Sequence, residues 1–198
     1  MKIYLIRHGK DDDNYRGGWS SLGLTQEGKK QAEALALFLK EYKKEYPISK
    51  IISSDLKRTL EMANAIGKEL NLPIISSPDW REINNGDLAG MLNSAALKKY
   101  PDLFFSSLRM DEYYPNGESP IDFFTRIKKA FNTLLKEDLS ENVAVITHTG
   151  VINIIYHIIK GVEWSNKSKT FPISNASIHV LQYENNKIKL VEENKVIR

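Results

Sequence analysis

The sequence predicts an α/β fold: a single-domain three-layer α/β/α sandwich around a mostly parallel mixed sheet. Three short apolar runs between turn signals, at residues 2–6, 50–54 and 143–147, are typical of buried parallel strands. Helical stretches separate these runs, and strands that alternate with helices indicate a mostly parallel sheet covered on both faces. The chain has 198 residues, enough for one well-buried domain, which we expect to span residues 1–198.

The first helix follows a polar loop over residues 10–18 that contains three consecutive aspartates. Thr25 is a suitable N-cap, because its hydroxyl can accept a hydrogen bond from a backbone N–H that the helix leaves unpaired. Apolar residues recur after it at the helical period and predict the buried face of the helix. These residues are Ala32, Leu35, Leu39 and Tyr42. Pro47 ends the segment before the second strand.

We expect the second helix to begin near Asp55, as its N-cap, and to run to about residue 70. Asn71-Leu72-Pro73 then breaks the helix, and a third strand begins at Ile74-Ile75. Ser119-Pro120 opens a later helix, because proline is favoured in the first helical turn. The predicted buried stripe of this later helix consists of Phe124, Ile127, Phe131 and Leu134.

Residues 83–117 do not fit the alternation of strands and helices. They contain one short helical piece, around residues 95–100, and then a loop rich in Tyr, Asp and Pro. The stretch is long for a plain connection, and long loops in compact domains are often functional. We therefore predict an insertion at about 83–117 that forms a lid or a pocket wall.

The C-terminal part of the chain predicts one more helix and a hairpin. Residues 151–159 are strongly apolar and end at Gly161, a residue favoured just after a helix. Residues 177–183 and 187–191 have the pattern of two antiparallel strands joined at Asn185-Asn186.

Composition excludes several classes of function. The net charge of +3 is small and the lysines are scattered, so we expect no nucleic-acid partner. The absence of cysteine excludes disulfides, thiolate catalysis and zinc–thiolate sites. No stretch is long enough to span a bilayer, and the N-terminal apolar run lacks the features of a signal peptide. We expect a cytoplasmic protein with no membrane partner, and the sequence leaves its oligomeric state open.

Basic side chains follow three of the predicted strands directly. Arg7 and His8 come after the first strand, Arg58 lies just past the second, and His148 follows the run at 143–147. Binding crevices of open α/β sheets lie at the carboxyl ends of the strands, so these four side chains could converge. Two guanidiniums and two imidazoles around one cavity would be costly without an anion. Phosphate is the simplest candidate.

Five blocks in this chain, in the same order, resemble the signature of the histidine phosphatase superfamily, which includes the phosphoglycerate mutases. The blocks are Arg7-His8-Gly9 and residues 53–59, 81–87, 116–119 and 147–152. A single tripeptide would be weak, since short motifs arise by chance, but five ordered blocks are highly specific. The resemblance implies a phosphatase acting on a small-molecule phosphomonoester.

The resemblance also implies roles for individual residues. His8 is the nucleophile that becomes phosphorylated, and Glu82 is the general acid. Arg7, Arg58 and His148 bind the phosphate and stabilise its charge in the reaction. Two further residues are assigned to substrate binding, Asn14, which stands where the family often has a phosphate-contacting Asn, and Thr149. This mechanism needs no metal and no cofactor, because the cationic side chains already neutralise the phosphate.

Chemistry sets two requirements on His8. The ring must be neutral to attack phosphorus, and the neighbouring guanidiniums of Arg7 and Arg58 should lower its pKa. Its other ring nitrogen needs an acceptor that fixes the tautomer, for which the carbonyl of Gly9 is a candidate. We expect His148 to be protonated when phosphate is bound.

The chain departs from the family pattern next to the nucleophile. The family usually has Glu or Gln followed by Ser or Thr after Arg-His-Gly, whereas here Lys10-Asp11 follows. The run Asp11-Asp12-Asp13 could repel a polyanionic substrate or engage a cationic part of the substrate. The second histidine block has Thr149 where the family usually has Gly.

Two other functions fit the same residues. A phosphoglycerate mutase would use the same site but generally has a longer insertion after the acid block and a longer C-terminal tail. A non-catalytic phospho-ligand binder would have the fold without turnover, although all the core groups are retained here. His157 and His179 are expected to be packing or surface residues. Several residues could line the substrate entrance or belong to ordinary surface turns: Tyr15, Arg16, Trp19, Tyr113 and Tyr114.

Overall fold

The computed structural model describes residues 1–136, 141–168 and 170–197, and six of its strands form one mixed sheet in the order β3-β2-β4-β1-β5-β6. The strands are β1 (Lys2–Arg7), β2 (Lys50–Ser54), β3 (Ile74–Ser77), β4 (Val143–Thr147), β5 (Ser177–Glu184) and β6 (Lys187–Val196). Strands β1 to β4 pair in parallel, and β5 pairs antiparallel with both β1 and β6. The predicted mostly parallel mixed sheet is confirmed.

Helices cover both faces of this sheet. They are α1 (Gln26–Glu41), α2 (Lys57–Leu70), α3 (Asn93–Lys99), α4 (Pro120–Leu134) and α5 (Thr149–Lys160). Alternate residues of the strands belong to two separate apolar cores, as the two-residue period of a strand requires. Tyr4 and Ile6 of β1 pack in the core with α1 and α2, whereas Ile3 and Leu5 belong to the core with α4 and α5. The three-layer α/β/α sandwich is therefore confirmed.

The first helix begins as predicted and differs near its end. The Oγ1 of Thr25 accepts a hydrogen bond from the N–H of Gly28, 3.1 Å away, and Leu35 and Leu39 are fully buried. The prediction for Tyr42 was wrong, because this residue is the C-cap of α1 and is 41% exposed. Tyr46, one turn further, supplies the buried aromatic ring instead.

The N-cap prediction for the second helix was also wrong. Helix α2 begins at Lys57, its N-cap is Leu56, and no side chain caps it. The Asp55 carboxylate instead accepts two hydrogen bonds from the guanidinium of Arg81, from Nε and from Nη2, each at 2.5 Å. A bidentate pair with a guanidinium is stronger than a neutral cap, and its partner lies 26 residues away in sequence.

In α4 the predicted N-cap is confirmed, and one residue of the predicted buried face is wrong. Ser119 caps the helix through Oγ, which accepts from the N–H of Asp122. Ile127, Phe131 and Leu134 are buried, but Phe123, 1% exposed, takes the place predicted for Phe124. Phe124 is half-buried and stacks on Trp164 with ring centroids 5.2 Å apart. The buried residue is therefore four positions before Ile127 rather than three, and both spacings place side chains on the same face of a helix.

The C-terminal hairpin turns at Asn185 and Asn186, both with positive φ, as predicted. Strand β6 continues five residues beyond the predicted end at residue 191, since Val196 still pairs with Ser177. Helix α5 begins at Thr149, two residues earlier than predicted, and Gly161 follows its end in the left-handed region. None of the described helices has the length and apolarity needed to cross a membrane.

Residues 83–117 pack against the loop that follows β1. Leu92 forms an isolated bridge with Tyr15, and the N–H of Asn93 donates to the carbonyl of Asn14 at 2.8 Å. The segment contains α3 and two short 3₁₀ turns, and it buries six residues. These are Ile83, Asn85, Leu88, Ala96, Leu108 and Tyr114. Its role as a lid or pocket wall stays a prediction.

Candidate active site

The carboxyl ends of β1, β2 and β4 bring the predicted basic side chains together. Arg7 pairs with Thr147 in the ladder, so His8 and His148 follow adjacent strand ends. Their rings lie edge to face, with centroids 5.2 Å apart and planes at 61°. Arg58 lies in the first turn of α2, which begins just after β2. The predicted convergence at one edge of the sheet is therefore present.

His8 is buried and its tautomer is fixed. Only 4% of the residue is exposed, and the Nδ1–H donates to the carbonyl of Gly9 at 2.7 Å, the acceptor expected from the sequence. The lone pair is then on Nε2. Burial, followed by the charges of Arg58 and Arg7, holds the pKa of His8 well below 6.5. The ring is neutral at physiological pH, as an attacking nucleophile must be.

Arg58 is held by the loop that follows β1. The residue is 2% exposed, its Nη2 donates to the carbonyl of Gly18 at 2.7 Å, and its Nη1 contacts the Oγ of Ser20 at 3.4 Å. Gly18 has a φ of +56°, and a Cβ there would lie 1.9 Å from Oδ1 of Asn85, so only glycine fits. The Nε is buried and has no hydrogen-bond partner within the described residues.

Arg7 is anchored at one end only. Its Nη1 donates to the carbonyl of Ile173 at 2.8 Å, while its Nε is buried with no partner in the described parts of the chain. Burial lowers the pKa of Arg7, and Asp11 and Glu82 oppose that effect. A guanidinium starts from a pKa far above neutrality, so both arginines stay charged. Both arginines thus keep a buried, unpaired Nε donor that an anion could accept.

His148 is fully buried, and its Nε2 lies 2.9 Å from the Oγ of Ser54, at the end of β2. The Ser54 hydroxyl accepts from the N–H of Leu56 and can donate its own hydrogen to Nε2. The remaining proton of the neutral ring is then on Nδ1, which is buried and unpaired among the described residues. Burial, and then the charge of Arg58, holds the pKa of His148 well below 6.5. A neutral His148 can therefore donate Nδ1–H to a phosphate, and its expected protonation in the complex stays a prediction.

Glu82 lies against the start of α5. Its Oε2 accepts from the N–H of Gly150 at 2.9 Å, and its Oε1 accepts from the N–H of Ile83 at 3.0 Å. A Cβ on residue 150 would lie 2.2 Å from Oε1, so glycine permits this close approach. The carboxylate also benefits from the partial positive charge at a helix N-terminus.

An ion pair and a tryptophan hydrogen bond hold the segment around Glu82, and the sequence analysis did not identify them. The guanidinium of Arg126 binds both oxygens of Glu118 at 2.7 and 2.9 Å and also donates to the carbonyl of Glu82 at 3.1 Å. Trp19 donates Nε1–H to the same carbonyl at 2.7 Å, and Arg81 stacks over its ring at 4.4 Å. Glu118 lies in one of the five family-like blocks, which was the available signal for a positioning role.

Asn14 and Thr149, the two further residues assigned to substrate binding, lie in different surroundings. Asn14 is exposed, and its Nδ2 donates to Oδ1 of Asp12 at 2.8 Å, so it is not in contact with the basic cluster. Thr149 is the first residue of α5, next to His148, and its Oγ1 is buried without a partner in the described residues. Thr149 thus has an unpaired hydroxyl next to His148 that could contact a phosphate. Both assignments stay predictions.

Other residues considered in the sequence analysis divide between the site and the core. Tyr114 is 6% exposed, and burial raises its pKa to about 12, with smaller effects from Arg16 and Glu82. It packs in the core with α4 and α5, whereas Tyr113 is 60% exposed. His157 and His179 are buried packing residues away from the strand ends, as expected. No group of three or more potential metal ligands occurs within residues 1–136, 141–168 and 170–197.

Comparisons with known proteins agree with this geometry. The model of the histidine phosphatase superfamily (branch 1) matches residues 3–196. The chain is 32% identical over 189 residues to phosphoserine phosphatase 1 of Hydrogenobacter thermophilus, which covers 93% of this chain and 87% of that protein. It is 34% identical over 193 residues to the metal-independent phosphoserine phosphatase of Arabidopsis thaliana, covering 94% and 78%. The solved structure of YhfR from Bacillus stearothermophilus shares the fold, with a TM-score of 0.85 at 22% identity and coverage of 98% and 97%.

Proposed function

Because the chain belongs to the histidine phosphatase superfamily, we propose that it hydrolyses phosphomonoesters without a metal ion, through a phosphohistidine on His8. The family and the relatives identify the chain as a phosphatase, and the proposal adds the mechanism. One observation carries it. A neutral imidazole, with Nδ1 bound to Gly9, lies among two guanidiniums and a second imidazole.

In the first step the phosphate binds between Arg7, Arg58 and His148, whose unpaired donors neutralise its oxygens. The Nε2 lone pair of His8 forms a bond to phosphorus while the bond from phosphorus to the ester oxygen breaks. Glu82, in its acid form, gives a proton to the leaving alkoxide. A nearby phosphate dianion favours the protonated carboxyl, because like charges disfavour ionisation.

In the second step Glu82 acts as the base. Its carboxylate takes a proton from a water molecule, and the resulting oxygen attacks phosphorus as the phosphorus–nitrogen bond breaks. Inorganic phosphate leaves and His8 returns to the neutral form. Both oxygens of Glu82 accept backbone N–H groups, an arrangement that suits the carboxylate required at this stage.

Two named relatives are phosphoserine phosphatases, which supports a small phosphorylated substrate. The proposal places the chain among the hydrolases of the family. A mutase would retain the phosphoryl group on His8 and return it to a bound phosphoglycerate, and a binder would not form a phosphohistidine. Kinetics with a generic aryl phosphate distinguish the three functions.

The test compares wild type with His8→Ala on nitrophenyl phosphate in the presence of EDTA. We expect wild type to turn over repeatedly, and His8→Ala to lose both turnover and acid-labile phosphate labelling while keeping its fold by circular dichroism. Labelling that persists in the variant would exclude His8 as the nucleophile. A burst followed by slow turnover would indicate a mutase, and loss of activity in EDTA that magnesium restores would exclude the metal-free mechanism.

A further inference from the structure

Asp11 places a carboxylate directly at the phosphate site. Its Oδ2 lies 3.6 Å from Nε of Arg58, too far for a hydrogen bond but close enough for a strong Coulombic attraction. The Nε it faces is buried and unpaired within the described residues. Asp11 thus stands beside the donor that the phosphate would use, at the position where the family usually has a hydroxyl.

The charges around this site are already balanced before a substrate is considered. Burial lowers the pKa of both Arg7 and Arg58, and Asp11 and then Glu82 are the opposite charges that raise it again. Asp13 adds a smaller effect of the same sign at Arg7, so the two cations already face at least two carboxylates. A phosphate dianion adds two negative charges, and the protonation of Glu82 as the general acid removes only one.

The Asp11 carboxylate also has unused capacity to accept hydrogen bonds. The side chain is 21% exposed, and it accepts no hydrogen bond from any residue in the described ranges. Lys10 is the nearby flexible cation, but its ammonium is committed to a salt bridge with Asp13. Asp11 therefore presents free acceptor oxygens to whatever part of the substrate lies next to the phosphate.

We propose that Asp11 selects substrates that carry a positively charged group close to the phosphate, the phosphate esters of amino alcohols. An ammonium one or two carbons from the ester oxygen would lie against the Asp11 carboxylate while the phosphate binds Arg58 and Arg7. It would supply the positive charge that the site lacks and donate to oxygens that are otherwise unused. The inference rests on the proposed function, since it assumes that the phosphate binds at this site.

Protonation of Asp11 is the competing explanation. A neutral carboxyl could donate to the phosphate in place of the family's hydroxyl. Such a contact would act on every phosphomonoester equally, whereas an ammonium contact discriminates between esters.

A matched pair of ligands separates these explanations. Phosphoethanolamine and 2-hydroxyethyl phosphate have nearly the same shape, but only the first carries an ammonium. Their affinities are measured by calorimetry in the His8→Ala background, and their kcat/KM values are measured with His8 intact. Each measurement is made with Asp11, with Asp11→Asn, and with Asp111→Asn, a control whose side chain is 80% exposed.

We expect phosphoethanolamine to be preferred by roughly tenfold or more, the effect of one charge-assisted hydrogen bond. Asp11→Asn should abolish that preference, and Asp111→Asn should retain it. Equal affinities for the two ligands, or a preference that Asp11→Asn leaves unchanged, would overturn the inference. A protein that binds both ligands with the expected preference but hydrolyses neither would support the role of Asp11 and reject the proposed function.

Discussion

At the scale of single residues, the site depends on which ring nitrogens carry protons. His8 donates Nδ1–H to Gly9, and Ser54 can hold His148 as the same Nδ1–H tautomer. His8 therefore offers the lone pair of Nε2, whereas His148 offers its Nδ1–H. Burial and the guanidinium of Arg58 keep the pKa of both rings well below 6.5. In the proposed mechanism Arg58 therefore has two effects, on the charge of the phosphate and on the protonation of His8.

Replacing Arg58 should reveal both effects. We expect Arg58→Met to lower turnover by about 10²–10³, as does removal of one oxyanion donor. The pKa of His8 should rise toward 6.5 without the nearby cation, so the acid limb of the kcat/KM profile should move to higher pH. Steady-state kinetics from pH 4.5 to 8 measure both. Arg109→Met, at a surface position 77% exposed, should change neither. A lower rate with an unmoved acid limb would mean that Arg58 does not control the protonation of His8.

Glu82 should matter according to the leaving group. A general acid helps most when the leaving group is a poor one such as an alkoxide, whereas nitrophenolate leaves with little help. Glu82→Gln should therefore slow phosphorylation by alkyl phosphates far more than phosphorylation by nitrophenyl phosphate, as measured by single-turnover kinetics. The amide also replaces one acceptor with a donor facing a backbone N–H, so unfolding is measured alongside. Equal slowing of both substrates would indicate a positioning role and make Asp11 the next candidate acid.

At the scale of elements, local signals predicted the boundaries that local chemistry controls. The Thr25 and Ser119 caps, the end of α5 at Gly161 and the turn at Asn185 all depend on residues within one turn of chain. The errors at Asp55 and Phe124 have distant causes. Asp55 pairs with Arg81, 26 residues away, and Phe124 stacks on Trp164 rather than facing the core. Rules of periodicity and capping use only residues that are close in sequence, so they do not predict such distant partners.

The start of α5 offers a test of one such long-range contact. Gly150→Ala adds a Cβ that would lie 2.2 Å from Oε1 of Glu82, so the carboxylate must move. Alanine suits a helix better than glycine, and the helix itself should not be destabilised. We expect Gly150→Ala to show the same leaving-group dependence as Glu82→Gln. Phosphorylation by alkyl phosphates should slow strongly, and phosphorylation by nitrophenyl phosphate should be largely retained. Gly17→Ala, where nothing lies within 4 Å, is the matched control. Normal rates on alkyl phosphates in Gly150→Ala would show that the position of Glu82 is not critical.

At the scale of the whole molecule, the sheet order converts separated motifs into one site. Residues 7, 58 and 148 lie far apart in sequence, and they meet because β4 pairs between β1 and β2. Alternating strands and helices predicted this convergence, since parallel strands end at the same edge. The sequence did not reveal that Asp11 faces Arg58 or that Arg126 holds the segment of Glu82, because both are contacts between loops or distant elements. Basic groups near strand ends were therefore predictable, whereas the pairing of Asp11 with Arg58 was not.

Buried neutral histidines also link the stability of the whole fold to pH. On the antiparallel side of the sheet, Nδ1 of His179 accepts from the hydroxyl of Tyr156 at 2.5 Å and from the N–H of Asn194 at 3.2 Å. Its Nε2–H is then available to Ser177, 2.9 Å away. Burial lowers the pKa of His179 from 6.5 to about 4. Below pH 6.5 the unfolded chain takes up a proton at this residue and the folded chain does not, so stability must fall as the pH falls.

This loss of stability at low pH can be measured. Between pH 7 and pH 5 His179 should reduce the free energy of unfolding by about 2 kcal/mol, because one pKa unit corresponds to about 1.4 kcal/mol. His8 and His148 act in the same direction, so the contribution of His179 is obtained as a difference between variants. Urea titrations at both pH values should show that wild type loses about 2 kcal/mol more than His179→Gln. Tyr156→Phe removes a hydrogen bond that only the neutral ring can accept, so it should weaken the pH dependence in the same direction. If His179→Gln lost as much stability as wild type over this interval, His179 would not be the group that titrates.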